Sequence, residues 1–302
     1  MVAYARMDVS IVIVSYNGRD FLRRSLASIY QHTQDIEFEV IVVDNASQDG
    51  TPEMVMGEFS GVLLLRRSSN AGFAYAVNQG MAVARGRAML LLNPDTELTG
   101  NVLPRMLAYL QGHPDIGILA PKLLGADGSL QLSCRAFPGF TTALFNRYSM
   151  LTRLLPRNRF SARYLMTNFD HSTIADTDWA SAACWLLPRL TFEKVGPLDE
   201  GYFWSIEDVD YCQRVHRACL RVVYFPEVSL RHHIGGSSDT LPSRTIIERH
   251  RGMWRYYQTY LRPEGRVAAP PVDAVVRMGI ALRCGMQLAL HNLRRALGRG
   301  TG

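Results

Sequence analysis

The stretch VSIVIVSYNG, Val9–Gly18, decides the fold. Val9–Ser15 is a continuous apolar run, the pattern of a strand covered on both faces in a parallel sheet, and Asn17-Gly18 closes it with a turn. The segments that follow repeat the arrangement. Asp20–Tyr30 carries Phe21, Leu22, Leu26 and Ile29 at helical spacing, Phe38–Val43 is a second apolar strand running into Asp44-Asn45-Ala46-Ser47, and Pro52–Phe59 is a short helix. Val62–Leu65 is a third strand. Gly72–Ala84 is a helix with Ala74, Val77, Met81 and Ala84 on one side, and Ala88–Leu92 is a fourth strand stopped by Asn93-Pro94-Asp95. This alternation predicts a doubly wound α/β sheet, mixed but mainly parallel, with helices on both faces.

The rest of the chain is less regular. A helix is expected over Val102–Gln111, a strand over Ile116–Ala120, and a loop with helical pieces over the basic segment Arg147–Arg163, which Pro156 interrupts. Trp179–Leu187 reads as one strand-like run, a helix opens at Glu207 and continues to about Ala218, and Val222–Phe225 is a strand. Thr245–Tyr260 is helical, and after Pro270-Pro271 a last helix spans Ala274–Leu297.

Composition narrows the class. The 302 residues hold 33 Lys+Arg against 27 Asp+Glu, and 47% are hydrophobic, which excludes a disordered or low-complexity chain. Every basic residue except Lys122 and Lys194 is an arginine. Arginine suits bidentate contacts to phosphate and carboxylate, so the charge of +6 fits a nucleotide, a lipid phosphate or a nucleic acid. No helix-turn-helix, RNP or zinc-finger pattern supports the last of these, and no nucleic-acid partner is expected. Cys134, Cys184, Cys212, Cys219 and Cys284 form no CxxC pair, which argues against a disulfide framework or zinc site and for a reducing compartment. No secretory leader and no apolar span of about 18 residues is visible. The expected location is the cytoplasm, with peripheral contact to the inner face of the plasma membrane as an open alternative.

In open α/β sheets ligands bind at the carboxyl ends of the strands. Those ends carry Ser15-Tyr16-Asn17, Asp44-Asn45 and Asn93-Pro94-Asp95, which should converge on one edge. Neither GxGxxG nor GxxxxGK[ST] is present, so a nucleotide would be held in another way. Asp44 can accept from a uracil or thymine N–H or from ribose hydroxyls, or can simply cap the next helix. Asp95 is either a turn residue or a carboxylate for a divalent cation on a diphosphate. Glu207-Asp208-Val209-Asp210 places three carboxylates at a helix start, where the dipole favours them. Glu207 and Asp210 share a face and Asp208 points elsewhere. One of the three is a candidate general base, against plain N-terminal acidity. His232 and His233 precede a Gly235-Gly236-Ser237 turn suited to phosphate.

Seven stretches in order carry a family resemblance: IVIVSYNG (Ile11–Gly18), VVDNASQDGT (Val42–Thr51), NAGFAYAVNQG (Asn70–Gly80), LLLNPDTEL (Leu90–Leu98), DWASAACWLLPR (Asp178–Arg189), LDEGYFWSIEDVDYCQR (Leu198–Arg214) and HHIGGS (His232–Ser237). From about Asp8 to Ser238 the sequence resembles inverting glycosyltransferases of family 2 with the GT-A fold, in the rhamnosyltransferase-like branch. The resemblance implies a nucleotide-sugar-binding half over residues 1–100, an acceptor-binding and catalytic half over 101–240, and a helical extension over 241–302. It implies that Tyr16 and Asp44 hold the base with Ser15 and Asn17 nearby, and that Asn70 and Gly72 line the donor diphosphate or sugar.

It further implies that Asp95 is the last position of a DxD-type motif whose first position here is Asn93. His232 would complete an Mg²⁺ or Mn²⁺ site, Asp208 would be the base, and Trp179, Trp204 and Glu207 would face acceptor or sugar. Two residues depart from the family pattern: Ala182 stands where Gly is usual, and Leu198 where Phe is usual. The implied reaction moves a sugar, L-rhamnose from dTDP-rhamnose, to a hydroxyl of a glycan or lipid-linked glycan in cell-surface polysaccharide synthesis. UDP-galactofuranose, UDP-hexose or UDP-N-acetylhexosamine as donor, and a non-catalytic sugar-nucleotide binding module, are the alternatives.

The last helix is amphipathic. Val275, Met278, Leu282, Met286, Leu290, Leu293 and Leu297 form one stripe, with Arg277, Arg283, Arg294, Arg295 and Arg299 on the opposite arc. Such a helix over 274–299 can lie on an anionic membrane, or dock on the catalytic domain or on a second subunit as a homo-oligomer.

Overall fold

The structure, a computed structural model, describes residues 7–139, 142, 159–233, 242–264 and 269–296. In chain order the elements are β1 (Val9–Ser15), α1 (Arg19–His32), β2 (Phe38–Asp44), α2 (Thr51–Glu58), β3 (Val62–Arg66), α3 (Phe73–Val83), β4 (Ala88–Leu92), β5 (Thr96–Leu98), α4 (Leu103–Gly112) and β6 (Ile116–Leu124). They continue as β7 (Leu130–Gln131), β8 (Cys134–Arg135), α5 (Arg159–Leu165), β9 (Ala175–Asp176), β10 (Trp179–Ala180), β11 (Cys184–Pro188), α6 (Arg189–Val195) and α7 (Glu207–Arg217). β12 (Arg221–His232), α8 (Pro242–Tyr256), a π turn (Tyr257–Leu261) and α9 (Ala269–Ala296) complete the chain.

The main sheet runs β3-β2-β1-β4-β11-β6-β12-β5, with β7 on β6 and β9 on β12. β8 and β10 form a separate ribbon. β1, β2, β3 and β4 are mutually parallel, as are β6 and β12. β11 runs antiparallel between β4 and β6, and β5 antiparallel to β12. The sheet is therefore mixed and mainly parallel, as the sequence predicts.

Both faces of β1 are covered, which is why its sequence shows no polar alternation. Val9, Ile11 and Ile13 pack with Leu22, Leu26 and Ile29 of α1 and with Leu103 and Met106 of α4. Val12 and Val14 pack on the other face with Ala74, Val77 and Met81 of α3 and Val209, Cys212 and Val215 of α7. Complete burial of each such Leu or Ile side chain contributes about 1.5–3 kcal/mol. Of the two serines in the strand, Ser10 is satisfied: its hydroxyl donates to Glu39 (2.6 Å) and accepts from the N–H groups of Arg85 (3.0 Å) and Gly86 (2.7 Å).

Two expectations are corrected. The run Trp179–Leu187 is two strands in two different sheets, because the chain steps across at Ser181–Ala183. There the Ser181 N–H bonds the Ser133 carbonyl (2.8 Å), and the Ala183 carbonyl accepts from the Asn93 N–H (3.0 Å). The strand beginning near Val222 does not stop at Phe225. Pro226 breaks the ladder, since it has no N–H, and after that irregularity β12 resumes and pairs with β5 through His232. Of the basic segment Arg147–Arg163, Arg159 and Arg163 lie on α5, while Arg147, Arg153 and Arg157 lie outside the described residues, as do Ile234–Ser238.

α9 packs against α8 and is anchored at its first turns: Asp273 accepts from the Tyr257 hydroxyl (2.8 Å) and from Arg262 (2.7 Å). Its apolar stripe does not dock on the catalytic domain. Val275, Met278, Leu282, Met286, Leu290 and Leu293 are 48–68% exposed, whereas Val276, Ile280 and Leu288 on the other arc are half-buried. No described helix is long and apolar enough to cross a membrane.

Candidate active site

The loops after β1 and β2 are knitted together first. Asn45 donates its N–H to the Ser15 carbonyl (2.8 Å). Asn17, in the left-handed region at φ 50°, donates its N–H to the Ser47 hydroxyl (2.9 Å) and accepts from the Gln48 N–H (2.8 Å). Asp44 ends β2 in register with Ser15. It does not cap α2, whose first residue, Thr51, bonds Asp49 instead (3.1 Å). Asp44 Oδ2 accepts from the Ser47 N–H (3.1 Å), but Oδ1 and the Ser15 hydroxyl are buried without partners. Burial pushes the Asp44 carboxyl above the ordinary carboxylate range. A desolvated acceptor and a hydroxyl side by side at the strand ends, with Tyr16 half-buried beside them, are suited to a ligand that supplies an N–H.

Asn45, which the sequence does not single out, organises the next loop. Its amide donates to Asn70 Oδ1 (3.0 Å) and to the Gly72 carbonyl (3.1 Å), and accepts from the Ala71 N–H (3.3 Å). Asn70 in turn accepts from the Gly72 N–H (3.0 Å). Gly72 sits at φ 98°, and a Cβ there would stand 2.7 Å from the Phe203 carbonyl oxygen and 2.9 Å from its ring. The glycine thus lets the Asn70–Gly72 loop close onto the Phe203 backbone, whose carbonyl accepts from the Phe73 N–H (2.8 Å). Asn78 makes a second such tie, trading both hydrogen bonds with the backbone of Leu198 (2.8 and 2.9 Å).

At the end of β4, Asn93 is half-buried and Asp95 is 2% exposed. His232, at the end of β12, brings Nε2 to 3.4 Å from Asp95 Oδ1, and its Nδ1 is set by Gln131 (2.8 Å). His233 turns away to Glu97 (3.0 Å). Among the described residues no group of three or more His, Cys, Asp or Glu converges. One hard oxygen and one imidazole nitrogen suit a divalent ion whose remaining ligands are substrate phosphates rather than a closed protein cage.

The carboxylates of α7 come last. The turn into the helix is strained: Ser205 and Ile206 sit at φ 70° and 77°, a conformation unfavourable for any side chain and especially for a β-branched one. It leaves Glu207 and Asp210 buried and Asp208 at the rim. Asp210 is structural, bonding Arg214 (3.0 Å) and the Tyr260 hydroxyl (2.7 Å). Burial, and then the Asp208 charge, push Glu207 well above its ordinary value, which favours its protonated form. Asp208 is pushed up by burial to about 6, against the opposing pull of the Val209 and Ala182 N–H groups and the Arg135 charge.

Ala182 is not in the left-handed region, so the missing glycine costs no strain, and its N–H still serves Asp208. Leu198 is buried where Asn78 clamps it. Trp179 is 6% exposed and donates its indole N–H to Ala136 (2.9 Å). Its ring carries Arg135 at 5.2 Å, so it reaches the crevice through that guanidinium, which also stands by Tyr164. Trp204 is half-buried under Arg249 (5.1 Å). Arg135 and Tyr164 are not legible in the sequence, because only the β8–β10 pairing and α5 bring them to Asp208.

Two adjacent residues join the halves. The Ala182 N–H acts on Asp208, and the Ala183 carbonyl accepts from the Asn93 N–H (3.0 Å), so Asp208 and the β4 loop meet at one turn.

Residues 10–131 match the sequence profile of Glycosyl transferase family 2. Over 267 residues the chain is 29% identical to the N-acetylglucosaminyl-diphospho-decaprenol L-rhamnosyltransferase of Mycobacterium tuberculosis, spanning 81% of this chain and 86% of that protein. In three dimensions it resembles the mannosyltransferase PcManGT of Pyrobaculum calidifontis in complex with GDP-Man and Mn²⁺, with a TM-score of 0.57 at 17% identity over 99% of this chain and 76% of that one. It also resembles GalNAc-T7 with UDP, GalNAc and Mn²⁺, with a TM-score of 0.59 at 15% identity over 96% of this chain and 58% of the other. Motif order, sheet topology and relatives agree: residues 10–131 match family 2 glycosyltransferases, and the fold is that of the GT-A glycosyltransferases.

Proposed function

We propose that the enzyme transfers L-rhamnose from dTDP-rhamnose, with inversion, to a hydroxyl of a lipid-linked glycan. The observation that carries the chemistry is Asp208, a desolvated carboxylate raised to about 6 and joined through Ala182–Ala183 to the loop of Asn93 and Asp95. The relative from Mycobacterium tuberculosis, an L-rhamnosyltransferase named for a diphospho-decaprenol acceptor, supports the choice of donor sugar and of a lipid-linked acceptor.

Asp44 Oδ1 accepts the imide N–H of the pyrimidine, with Ser15, Tyr16 and Asn17 around the base. The Asn45–Asn70–Gly72 loop holds the donor side in place. Asp208 accepts the proton of the acceptor hydroxyl as its oxygen attacks the anomeric carbon. The glycosidic C–O bond breaks on the opposite face, and the nucleoside diphosphate leaves with that electron pair. Asp95 and His232 would hold Mg²⁺ or Mn²⁺, which when bound would supply positive charge to the leaving diphosphate. Asn93 keeps the β4 loop in register, and Trp179, Trp204 and Glu207 shape the acceptor side. A base in this role contributes about 10²–10⁴-fold.

The test is transfer from dTDP-rhamnose to a short-chain lipid-diphosphate glycan, with the anomeric configuration of the product read by NMR. Turnover with an inverted linkage is expected. Turnover only with a UDP-sugar transfers the reading to the UDP alternative, and nucleotide-sugar binding without any transfer reduces it to a binding module.

A further inference from the structure

We propose that the outer face of α9 is a docking surface for an anionic lipid bilayer. Six large apolar side chains, Val275, Met278, Leu282, Met286, Leu290 and Leu293, stand 48–68% exposed along one line of the 28-residue helix. The line runs about 27 Å at 1.5 Å per residue. A stripe of that size in water marks an interaction site.

The helix is not free to turn the stripe inward. Asp273 holds its first turns to Tyr257 and Arg262, Arg277 lies over the Trp254 ring (5.9 Å), and Val276, Ile280 and Leu288 already occupy the protein side.

Charge selects the occupant. From Ala269 to the end of the chain the arginines are Arg277, Arg283, Arg294, Arg295 and Arg299, and the single acid, Asp273, is spent on Arg262. Two copies of such a helix repel one another, whereas an anionic headgroup layer attracts both the arginines and the stripe. The location matters for catalysis: the Arg283 charge reaches Tyr164, and that tyrosine also feels Asp208, so α9 lies behind the wall of the catalytic crevice. A helix lying in the headgroups would hold that crevice at the height where a lipid-linked hydroxyl emerges. This last consequence, unlike the docking itself, rests on the lipid-linked acceptor reading.

The test floats the full chain with vesicles of phosphatidylcholine alone or mixed with phosphatidylglycerol, and runs Leu282→Glu/Met286→Glu alongside. The wild type is expected to rise with the mixed vesicles and to be released by salt. The double variant is expected to lose at least about tenfold in bound fraction, as removal of two buried apolar side chains implies. Its thermal midpoint and its turnover on a water-soluble acceptor should match the wild type. Arg294→Gln and Arg295→Gln, which leave the Arg277–Trp254 anchor in place, should each cost about fivefold in partitioning, equivalent to ~1 kcal/mol. Flotation unchanged in the double variant overturns the proposal. So does a wild type that stays out of the mixed vesicles while light scattering shows a dimer that the double variant dissolves. Failure of transfer to any acceptor, with flotation intact, would count against the proposed function alone.

Discussion

Asp208→Asn should make the protein more stable while nearly abolishing its activity. The Asp208 carboxyl moves from 3.8 to about 6 on folding, chiefly through burial. A carboxyl whose folded value lies above its unfolded one favours folding only while protonated. Its cost is absent below about pH 4, grows as pH rises, and is complete once pH exceeds the folded value. The shift of about two units corresponds to about 3 kcal/mol at pH 8 and about half that at pH 5. Part of the side chain remains in water, so this is a ceiling.

The asparagine keeps the shape and removes the charge. At about 2–4 °C per kcal/mol for a chain of this size, its thermal midpoint should rise by up to about 6–12 °C at pH 8 and by about half as much at pH 5. Transfer should fall by about 10²–10⁴ with nucleotide affinity retained. In the wild type kcat/KM should fall with unit slope below about pH 6, as the base takes up its proton. Thermal melts of both proteins at the two pH values, with a pH–rate profile, make the check. An Asn variant that is no more stable at pH 8, or whose gain is the same at both pH values, would falsify the claim that Asp208 is a desolvated base.

Three other sites give separable outcomes. Asp95→Asn should remove the Mn²⁺-dependent part of dTDP binding in calorimetry while leaving metal-free affinity within about twofold, because the substrate phosphates otherwise lack their ion; an unchanged Mn²⁺ dependence would move the ion elsewhere. Asn45→Ala deletes three bonds to the loop of Asn70–Gly72, and about 1 kcal/mol for each predicts a midpoint lower by roughly 6–12 °C, with the donor KM raised more than kcat is lowered. Gly72→Ala combines φ 98° with a 2.7 Å clash on the Phe203 oxygen, so a loss of at least about 1–3 kcal/mol is expected; a variant as stable as the parent in urea would show that the loop does not close there.

Much of this was readable along the chain because it is local. Val9–Ser15 and Ala88–Leu92 coincide with β1 and β4, since a strand buried on both faces announces itself by composition alone. Asp44, Asp95 and the three carboxylates Glu207, Asp208 and Asp210 could be picked out from their places after strands or at a helix start, and only the family resemblance separated Asp208 from its neighbours. What could not be read is what depends on distant partners. Trp179–Leu187 looks like one strand because its residues are uniformly apolar, but the break is made by Ser133 and Asn93, 48 and 90 positions from their partners Ser181 and Ala183. Arg135 is one arginine among many until β8 lays it on Trp179. Nor does periodicity say which side of an amphipathic helix faces the protein: in α9 the more apolar arc is the one left outside.

The reversed strand β11 has a wider consequence. In a purely parallel sheet only exit loops reach the ligand edge, so each strand contributes one loop to the pocket. Because β11 runs against β4, with Cys184 opposite Leu92, its entry loop arrives at that edge instead. The chain that enters there is the whole excursion from β6 to Ala183, which carries Arg135 and α5 but none of the donor-side residues. Under the proposed assignment of donor and acceptor sides, acceptor preference can therefore drift through insertions and deletions in that excursion, while strands β1–β4 stay as they are.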